Sequence, residues 1–292
     1  MKRWRFVAFL SFVLFFFGCA STRVQAPLHK RPVGFWTNEE AIVQVLHVFS
    51  APVVSGDGKL ALDSKGKITT TLRVNLGTGA VVDVNGLVMT NEHIVNEDCP
   101  IVVAPDKLAA PLPKECPLKT ALTPDQLAEP IPAELYAVCK VNKLGLRKCG
   151  APAELVAADD TVDLALLRTK ERFARAVEFA DDSELIVGDE IYFWGNVFGF
   201  LPPSPFFGHY IGRMEPPYYE GDNFSTKLPL LLSDINFSPG SSGAPMFNEL
   251  GKVVGWGNSY TNPLMGGRSL GVSIPSSRIM KFLKENRPKQ KK

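Results

Sequence analysis

The stretch "GTGAVVDVNGLVMTNEHIV", residues 77–95, carries the local signals that decide the fold of this chain. Two apolar runs rich in valine flank Asn85-Gly86, a dipeptide that favours a tight hairpin turn because both residues accept a positive φ. β-Branched side chains favour extended backbone. The stretch therefore predicts a β-hairpin, and a polar segment that contains His93 follows its second strand.

Similar short apolar runs recur along most of the chain, each bounded by Gly, Pro, Asn or Asp. They include "AIVQVLHVF", "ITTTLRV", "LYAVCKV", "DLALLRT", "EIYFWG", "LPLLL", "APMF", "KVVGWG" and "GVSIP". A helical pattern appears only near the end, where Ser276 or Ser277 is expected to cap a helix. Its expected apolar face consists of Ile279, Met280, Phe282 and Leu283. Many short strands with one terminal helix predict an all-β barrel or sandwich fold.

The N-terminus has the composition of an export signal. "MKRWR" is basic, "FVAFLSFVLFFF" is apolar but short for a membrane span, and "GCAS" follows. "FFGC" resembles the lipobox of bacterial lipoproteins, in which the cysteine is lipidated after cleavage. We therefore expect a signal peptide over residues 1–18, lipidation at Cys19 and a tether over residues 19–40. The alternative is an ordinary secretory signal cleaved nearby.

Charge gives no argument for a nucleic-acid partner. The chain has 292 residues, with 32 basic and 30 acidic side chains. Removing Lys2, Arg3 and Arg5 from the 32 basic residues leaves 29, so the exported chain is nearly neutral.

Four cysteines remain after Cys19, an even number that suggests disulfides in an exported chain. In "AVCKVNKLGLRKCGA" a hairpin with the loop Lys143-Leu144-Gly145 would set Cys139 opposite Cys149. This pairing predicts the disulfide Cys139–Cys149 and leaves Cys99 to pair with Cys116. No Cys-x-x-Cys pair is present, so no metal site is expected.

Three residue types in this chain suit nucleophilic catalysis by a hydroxyl. A serine needs an imidazole to accept its proton, a carboxylate to orient the imidazole, and N–H donors for the oxyanion. His93 follows a predicted strand, Asp163 begins another, and Ser241 and Ser242 lie in the Gly- and Pro-rich loop "SPGSSGAP". Taken singly, these residues are more typical of a surface histidine, a strand-end cap and turn formers.

Five ordered segments resemble trypsin-like serine peptidases of the HtrA (Deg) type. They are "GTGAVVDVNGLVMTNEHIV", "AADDTVDLALLRT", "VGDEIYFWGNVFG", "INFSPGSSGAPMFNELGKVVGW" and "GVSIPSSRIMKFL". The resemblance covers roughly residues 77–283 and departs from the family pattern at Ala244, where a second glycine is usual. The sequence ends soon after the expected terminal helix, so we expect a protease domain only, without the PDZ domains that many relatives carry.

The resemblance implies two antiparallel six-stranded β-barrels and a C-terminal helix, with the site in the cleft between the barrels. The expected organisation is an N-terminal barrel over residues 41–175 with a cysteine-containing insertion at 99–150, a C-terminal barrel and helix over 176–286, and a basic tail at 287–292.

By the same resemblance, His93 is the general base, Asp163 its orienting partner and Ser242 the nucleophile, with Gly240 and Ser242 N–H as the oxyanion hole. If Ser241 were the nucleophile, the second donor would fall at Pro239, which has no N–H. Ser241 is therefore expected to support the loop, with a side-chain hydrogen bond worth about 1 kcal/mol.

The resemblance also suggests where a substrate would bind. Asn236, six residues before Ser242, should lie near the base of the primary pocket, and without a charge it offers no ion pair to Arg or Lys. Gly255, Trp256 and Gly257 are expected to receive the substrate as an added strand. A medium-sized apolar side chain should fit the pocket. The aromatic run at residues 199–210 is expected to be a loop that regulates activity, contacts another copy or packs on the core.

Together these expectations describe an exported, lipid-anchored serine endopeptidase of the cell envelope, facing the periplasm or the outside. It would cleave unfolded or extended protein segments in envelope quality control and would need no cofactor. Both a monomer and a homo-oligomer are compatible with these expectations. Two alternatives stay open. One is a catalytically silent trypsin-like lipoprotein that binds peptides, and the other is a structural envelope lipoprotein whose serine loop is only a turn.

Overall fold

A computed structural model of the protein describes residues 35–54, 61–96, 102–103, 135–141, 147–196, 202–215, 228–260 and 270–288. Within these ranges the α-helices are α1 Phe35–Asn38, α2 Glu92–Val95 and α3 Ser276–Asn286, and short 3-10 helices occur at Glu39–Ala41 and Asp182–Glu184. The strands are β1 Ile42–Val54, β2 Thr70–Asp83, β3 Leu87–Thr90, β4 Val102–Val103, β5 Leu135–Val141, β6 Arg147–Asp159, β7 Leu164–Arg168, β8 Glu190–Gly195, β9 Ser204–Met214, β10 Leu230–Ser233, β11 Pro245–Asn248, β12 Val253–Tyr260 and β13 Gly271–Pro275.

The strands form two antiparallel barrels, which confirms the predicted fold class. In the first, the order is β2-β3-β7-β6-β5-β1, and pairing of β1 with β2 closes the ring. The two-residue β4 adds to the end of β1 in parallel. In the second barrel the closed order is β10-β13-β12-β11-β8-β9. Residues 32–292 form one compact unit.

The opening hairpin is present with a longer turn than expected. β2 and β3 pair with Val81 opposite Val88, and the connection Val84–Gly86 has three residues rather than two. Gly86 has φ +94°, and a Cβ there would lie 2.1 Å from the Thr169 carbonyl oxygen. The glycine is thus required both for the left-handed backbone and for this close approach.

Strand β8 carries large apolar side chains on both of its faces. Ile191 and Phe193 point into the barrel, whereas Tyr192 and Trp194 lie on its outer face. Phe35 of α1 packs on that outer face, with ring centroids 5.2 Å from Tyr192 and 4.9 Å from Trp194. The expected tether therefore ends before Phe35, because this ring is buried in the core.

Helix α3 packs on the core through Ile279, Phe282 and Leu283, as predicted, whereas Met280 is exposed and was wrongly assigned. Neither serine caps the helix as expected. Instead, the carboxylate of Asp182 accepts from the Ser277 N–H at 2.6 Å and from the Ser276 hydroxyl at 3.1 Å. No helix among the described residues is long and apolar enough to cross a bilayer.

The aromatic run at residues 199–210 was expected to be a loop. From Ser204 onward this run forms strand β9, in which Tyr210 is buried and Phe207 is exposed.

The register of β5 and β6 sets Cys139 opposite Cys149, and their sulfur atoms are 2.00 Å apart. Cys19, Cys99 and Cys116 lie outside the described residues.

Candidate active site

His93 lies on α2, the single helical turn that follows strand β3. Its side chain is 44% exposed, so part of the ring faces solvent. Asn91, the residue before the helix, donates from Nδ2 to the backbone oxygen of Asp163 at 2.9 Å. This bond fixes the approach of the β6–β7 turn to α2, and hence the position of Asp163 beside the imidazole.

Asp163 holds His93 at two points. Its Oδ1 accepts the backbone N–H of His93 at 3.0 Å, and its Oδ2 is 2.9 Å from His93 Nδ1. An ionised carboxylate only accepts, so the imidazole proton lies on Nδ1 and Nε2 is left as an acceptor. Asp163 is buried, and among the described non-glycine residues it alone has a positive φ, +53°. Backbone strain of this kind is common at functional sites.

The serine loop begins with a tight turn over Ser238–Ser241. The Ser241 N–H donates to the Ser238 oxygen at 3.0 Å, and Gly240 has φ +87°. Proline at the second position and a positive φ at the third define a type II turn. Neither Gly240 N–H nor Ser242 N–H donates a hydrogen bond to another described residue. The turn thus leaves two neighbouring backbone donors for a ligand.

The two serines have different environments. Ser242 is half-buried, and its hydroxyl donates to the Asn258 oxygen at 3.4 Å. Ser241 is fully buried, and a Cβ built at Gly195 would lie 3.4 Å from its Oγ. This Oγ has no hydrogen-bond partner within the described ranges, so the expected loop bond from Ser241 is not observed. Only Ser242 has the exposure that a nucleophile needs.

Thr78 of β2 connects the serine loop to the first barrel. Its N–H donates to the Ser242 oxygen and its hydroxyl to the Gly240 oxygen, both at 2.8 Å. Thr90, three residues before His93, donates from Oγ1 to the Thr78 oxygen at 2.7 Å. Sequence reasoning missed this role of Thr78, although "GTG" lies in the first of the family-like segments.

Asn236, which was expected near the base of the primary pocket, differs in exposure from the residue that follows it. Asn236 is exposed, whereas its neighbour Phe237 is buried. The Phe237 ring packs against two strands, because Cβ atoms built at Gly257 and Gly271 would lie 3.1 and 2.9 Å from it. Phe237 is therefore packed against β12 and β13, whereas the assignment of Asn236 to the base of the primary pocket stays a prediction.

The backbone of Gly255–Gly257 already has neighbours on both sides. Trp256 lies opposite Pro245 of β11 and Ile274 of β13, and the Trp256 side chain is fully buried. The Gly257 N–H donates to the Ala244 oxygen at 2.7 Å. An added strand cannot pair there, because these backbone groups are used within the barrel.

A second histidine–aspartate pair has almost the same geometry. Asp234 accepts the backbone N–H of His209 at 2.6 Å and lies 3.1 Å from His209 Nδ1. Both side chains are about half exposed. Partial burial raises the pKa of Asp234, but hydrogen bonds from His209 and its nearby charge lower it by more, so the net pKa is below its ordinary value. No cluster able to hold a metal occurs among the described residues.

The sequence matches the family described as "Trypsin-like peptidase domain" over residues 77–255, a range that includes His93, Asp163 and Ser242. A probable periplasmic serine endoprotease, DegP-like, from Rickettsia conorii is 27% identical over 209 residues, which are 71% of this chain and 33% of the relative. The magnetosome formation protease MamE of Magnetospirillum gryphiswaldense is 25% identical over 215 residues, 73% of this chain and 22% of the relative. The chain thus spans a third or less of the length of these two relatives.

Among solved structures, the HtrA-type protease AlgW with a decapeptide superposes with a TM-score of 0.54. The alignment covers 86% of this chain and 66% of that chain at 15% sequence identity. At this identity the likeness establishes the fold alone.

Proposed function

Because this chain belongs to the trypsin-like peptidases and has DegP-like relatives, we propose that it is a serine endopeptidase with the triad His93, Asp163 and Ser242. One observation carries the proposal. Asp163 fixes the Nδ1–H tautomer of an imidazole that is 44% exposed, and the serine loop contains a type II turn whose Gly240 and Ser242 N–H groups donate to no other described residue. These are the two requirements of acyl transfer by a serine.

The proposed reaction proceeds through an acyl-enzyme. Ser242 Oγ attacks the carbonyl carbon while His93 Nε2 takes the hydroxyl proton, and Asp163 stays ionised beside the imidazolium. The negative oxygen accepts hydrogen bonds from the N–H groups of Gly240 and Ser242. His93 then gives its proton to the leaving amine, and a water molecule repeats the sequence to release the acid. The chemistry needs no cofactor.

We place the bound substrate strand along Asn258–Tyr260 rather than Gly255–Gly257. Beyond Trp256 the pairing with β11 ends, and among the described strands only β13 continues beside β12. The Asn258 oxygen already lies 3.4 Å from Ser242 Oγ, so a strand added here would run past the nucleophile. Addition of a strand requires extended backbone, which favours unfolded or flexible protein segments as substrates.

The proposed location is the cell envelope, where quality control of unfolded proteins is a fitting role for such specificity. Support comes from the leader sequence and from relatives named as periplasmic endoproteases.

Lipidation at Cys19 would anchor the chain, because a multiply acylated cysteine holds a protein firmly in a bilayer. Cys19→Ser should move the protein from membranes to the soluble fraction. Wild-type protein that is already soluble in a bacterium with lipoprotein processing would contradict the anchor.

Labelling with a fluorophosphonate probe tests the proposed activity. The mature wild type should be labelled and should degrade unfolded casein, and Ser242→Ala should lose both by 10³-fold or more. Ser241→Ala is the matched control and should retain activity, because its hydroxyl makes no hydrogen bond to a described residue. Casein binding without labelling of the wild type would favour the silent peptide-binding alternative. Loss only in Ser241→Ala would overturn the choice of nucleophile.

A further inference from the structure

Thr78 uses every polar group it has at the junction between the two barrels. It is fully buried on β2. Its N–H donates to the Ser242 oxygen at 2.8 Å and its carbonyl accepts from Thr90 Oγ1 at 2.7 Å. Its hydroxyl contacts the Gly240 oxygen and the Asn196 nitrogen, each at 2.8 Å. One residue thus connects the strand before His93, the residue that follows β8 and the serine loop.

The chemistry of these partners fixes the direction of the hydroxyl. A carbonyl only accepts and a backbone N–H only donates. The hydroxyl proton of Thr78 therefore points to Gly240, and its oxygen accepts from Asn196. Removing the hydroxyl would leave both of these partners without that bond in a buried place.

The Gly240–Ser241 peptide is consequently held at both ends. Thr78 binds its oxygen, and the Ser238 oxygen binds its N–H at 3.0 Å. The N–H groups of Gly240 and Ser242 lie on either side of this peptide in the chain. The two donors belong to the flanking peptides Pro239–Gly240 and Ser241–Ser242, which join the held peptide at the Cα atoms of Gly240 and Ser241. Fixing the peptide between them therefore restricts where both donors lie.

The serine loop also packs so closely against the Thr78 backbone that no side-chain atom fits between them at Gly243. Gly243 has φ +84°, and a Cβ there would lie 2.0 Å from the Thr78 oxygen. The Thr78 backbone therefore sets how closely the loop approaches the first barrel, and its hydroxyl sets how the turn is oriented once docked.

We propose that Thr78 is a positioning residue that holds the two oxyanion donors in register with Ser242 from the opposite barrel. This inference rests on the proposed function. Because the donors act on charge that develops in the transition state, losing their alignment should lower kcat and leave KM nearly unchanged.

Three variants isolate the hydroxyl. Thr78→Val keeps the shape and the backbone N–H but removes the hydroxyl, and Thr78→Ser restores it. Thr169→Val is the matched control, because Thr169 is also buried and, within the described ranges, its hydroxyl accepts only from the nearby Glu171 N–H at 3.3 Å. If Thr78→Val does not fold, Thr78→Cys replaces it, since its thiol is a weaker donor of similar size.

The measurements are kcat and KM on a chromogenic peptide, and the affinity of a peptidyl boronate, which mimics the tetrahedral oxyanion. Thr78→Val should lose about 100-fold in kcat and a similar factor in boronate affinity, with KM within twofold. Thr78→Cys should lose about tenfold. Thr78→Ser and Thr169→Val should stay within threefold of the wild type.

The outcomes separate this inference from the function on which it rests. A wild type that the fluorophosphonate probe does not label refutes the endopeptidase and, with it, the role of Thr78. A labelled wild type with unchanged kcat in Thr78→Val, or in Thr78→Cys where that variant is needed, refutes the role of Thr78 alone. Equal losses in Thr78→Val and Thr78→Ser also refute it, because the hydroxyl would then be irrelevant.

Discussion

Asp163 accepts both the backbone N–H and the ring Nδ1–H of His93, so a single carboxylate sets the position and the tautomer of the imidazole. The two residues are 70 positions apart in sequence. His209 and Asp234 repeat this arrangement on the second barrel, where the side chains are more exposed. This pair provides an internal control for the first.

Asp163→Asn should lower kcat by about 10³–10⁴-fold, because an amide NH₂ facing Nδ1 favours the wrong imidazole tautomer. Asp234→Asn makes the same chemical change at an exposed pair and should leave kcat unchanged. The measurement is peptide hydrolysis by both variants, with folding checked by circular dichroism. Equal activity in the two variants would argue against a catalytic role for Asp163.

Gly240→Ala should reduce kcat by about 100-fold. Its φ of +87° is unfavourable for alanine, and a switch to a type I turn would rotate the Pro239–Gly240 peptide and redirect the Gly240 N–H. Gly188→Ala is the matched control, because Gly188 has φ +100° and open space around the Cβ position. Both should lose about 1–2 kcal/mol of stability, but only Gly240→Ala should lose activity. Comparable kcat in the two variants would contradict the role of the turn.

Phe237→Ala should broaden the primary specificity towards larger apolar side chains. The ring contacts β12 at Gly257, and the oxygen of the next residue, Asn258, accepts from the Ser242 hydroxyl, so removal of the ring should open space near the nucleophile. We expect kcat/KM for peptides with Leu or Phe before the scissile bond to rise about tenfold or more relative to Ala. Phe206→Ala is the control. Phe206 is a half-buried ring that packs against the buried cluster to which Phe237 belongs, and its removal should leave the ratio unchanged. An unaltered ratio in Phe237→Ala would place the pocket elsewhere.

Asp182 makes stability depend on pH. Burial raises the pKa of Asp182, but hydrogen bonds from Ser277, Arg213 and Ser276 lower it by more, and the net pKa is below its ordinary value. A carboxyl with a lowered folded-state pKa stabilises the fold above its unfolded pKa, and this contribution disappears as the pH falls through the folded value.

Asp182→Asn should therefore destabilise the protein at pH 7 by about 1.5–3 kcal/mol, because the neutral amide weakens the hydrogen bonds that the carboxylate accepts from Ser277 and from the partly exposed Arg213. The difference in free energy of unfolding between wild type and variant should shrink below about pH 4. Asp181→Asn is the control, since exposed Asp181 accepts from the Ser183 N–H at 2.9 Å and an amide oxygen can do the same. Urea titrations at several pH values measure both, and a difference that stays constant with pH would contradict the account.

Sequence patterns predicted an all-β fold, the hairpin at Asn85-Gly86 and the apolar face of α3 at Ile279, Phe282 and Leu283, and the family resemblance supplied the two barrels. Turn-forming residues and apolar periodicity act between near neighbours, so such features can be recognised without knowing the fold. The choice of Ser242 over Ser241 also came from local chemistry, because Pro239 has no N–H.

The contacts that shape the site were decided by the tertiary structure. Thr78 meets Gly240 across 162 positions, and Asp182 caps a helix 95 positions later. Phe237 packs against β12, and the paired backbone of Gly255–Gly257 moved the proposed substrate strand to Asn258–Tyr260. Each of these outcomes depends on which strands lie side by side once both barrels close. Sequence periodicity records that a side chain is buried, but the partner it meets there is set by the packing of distant segments.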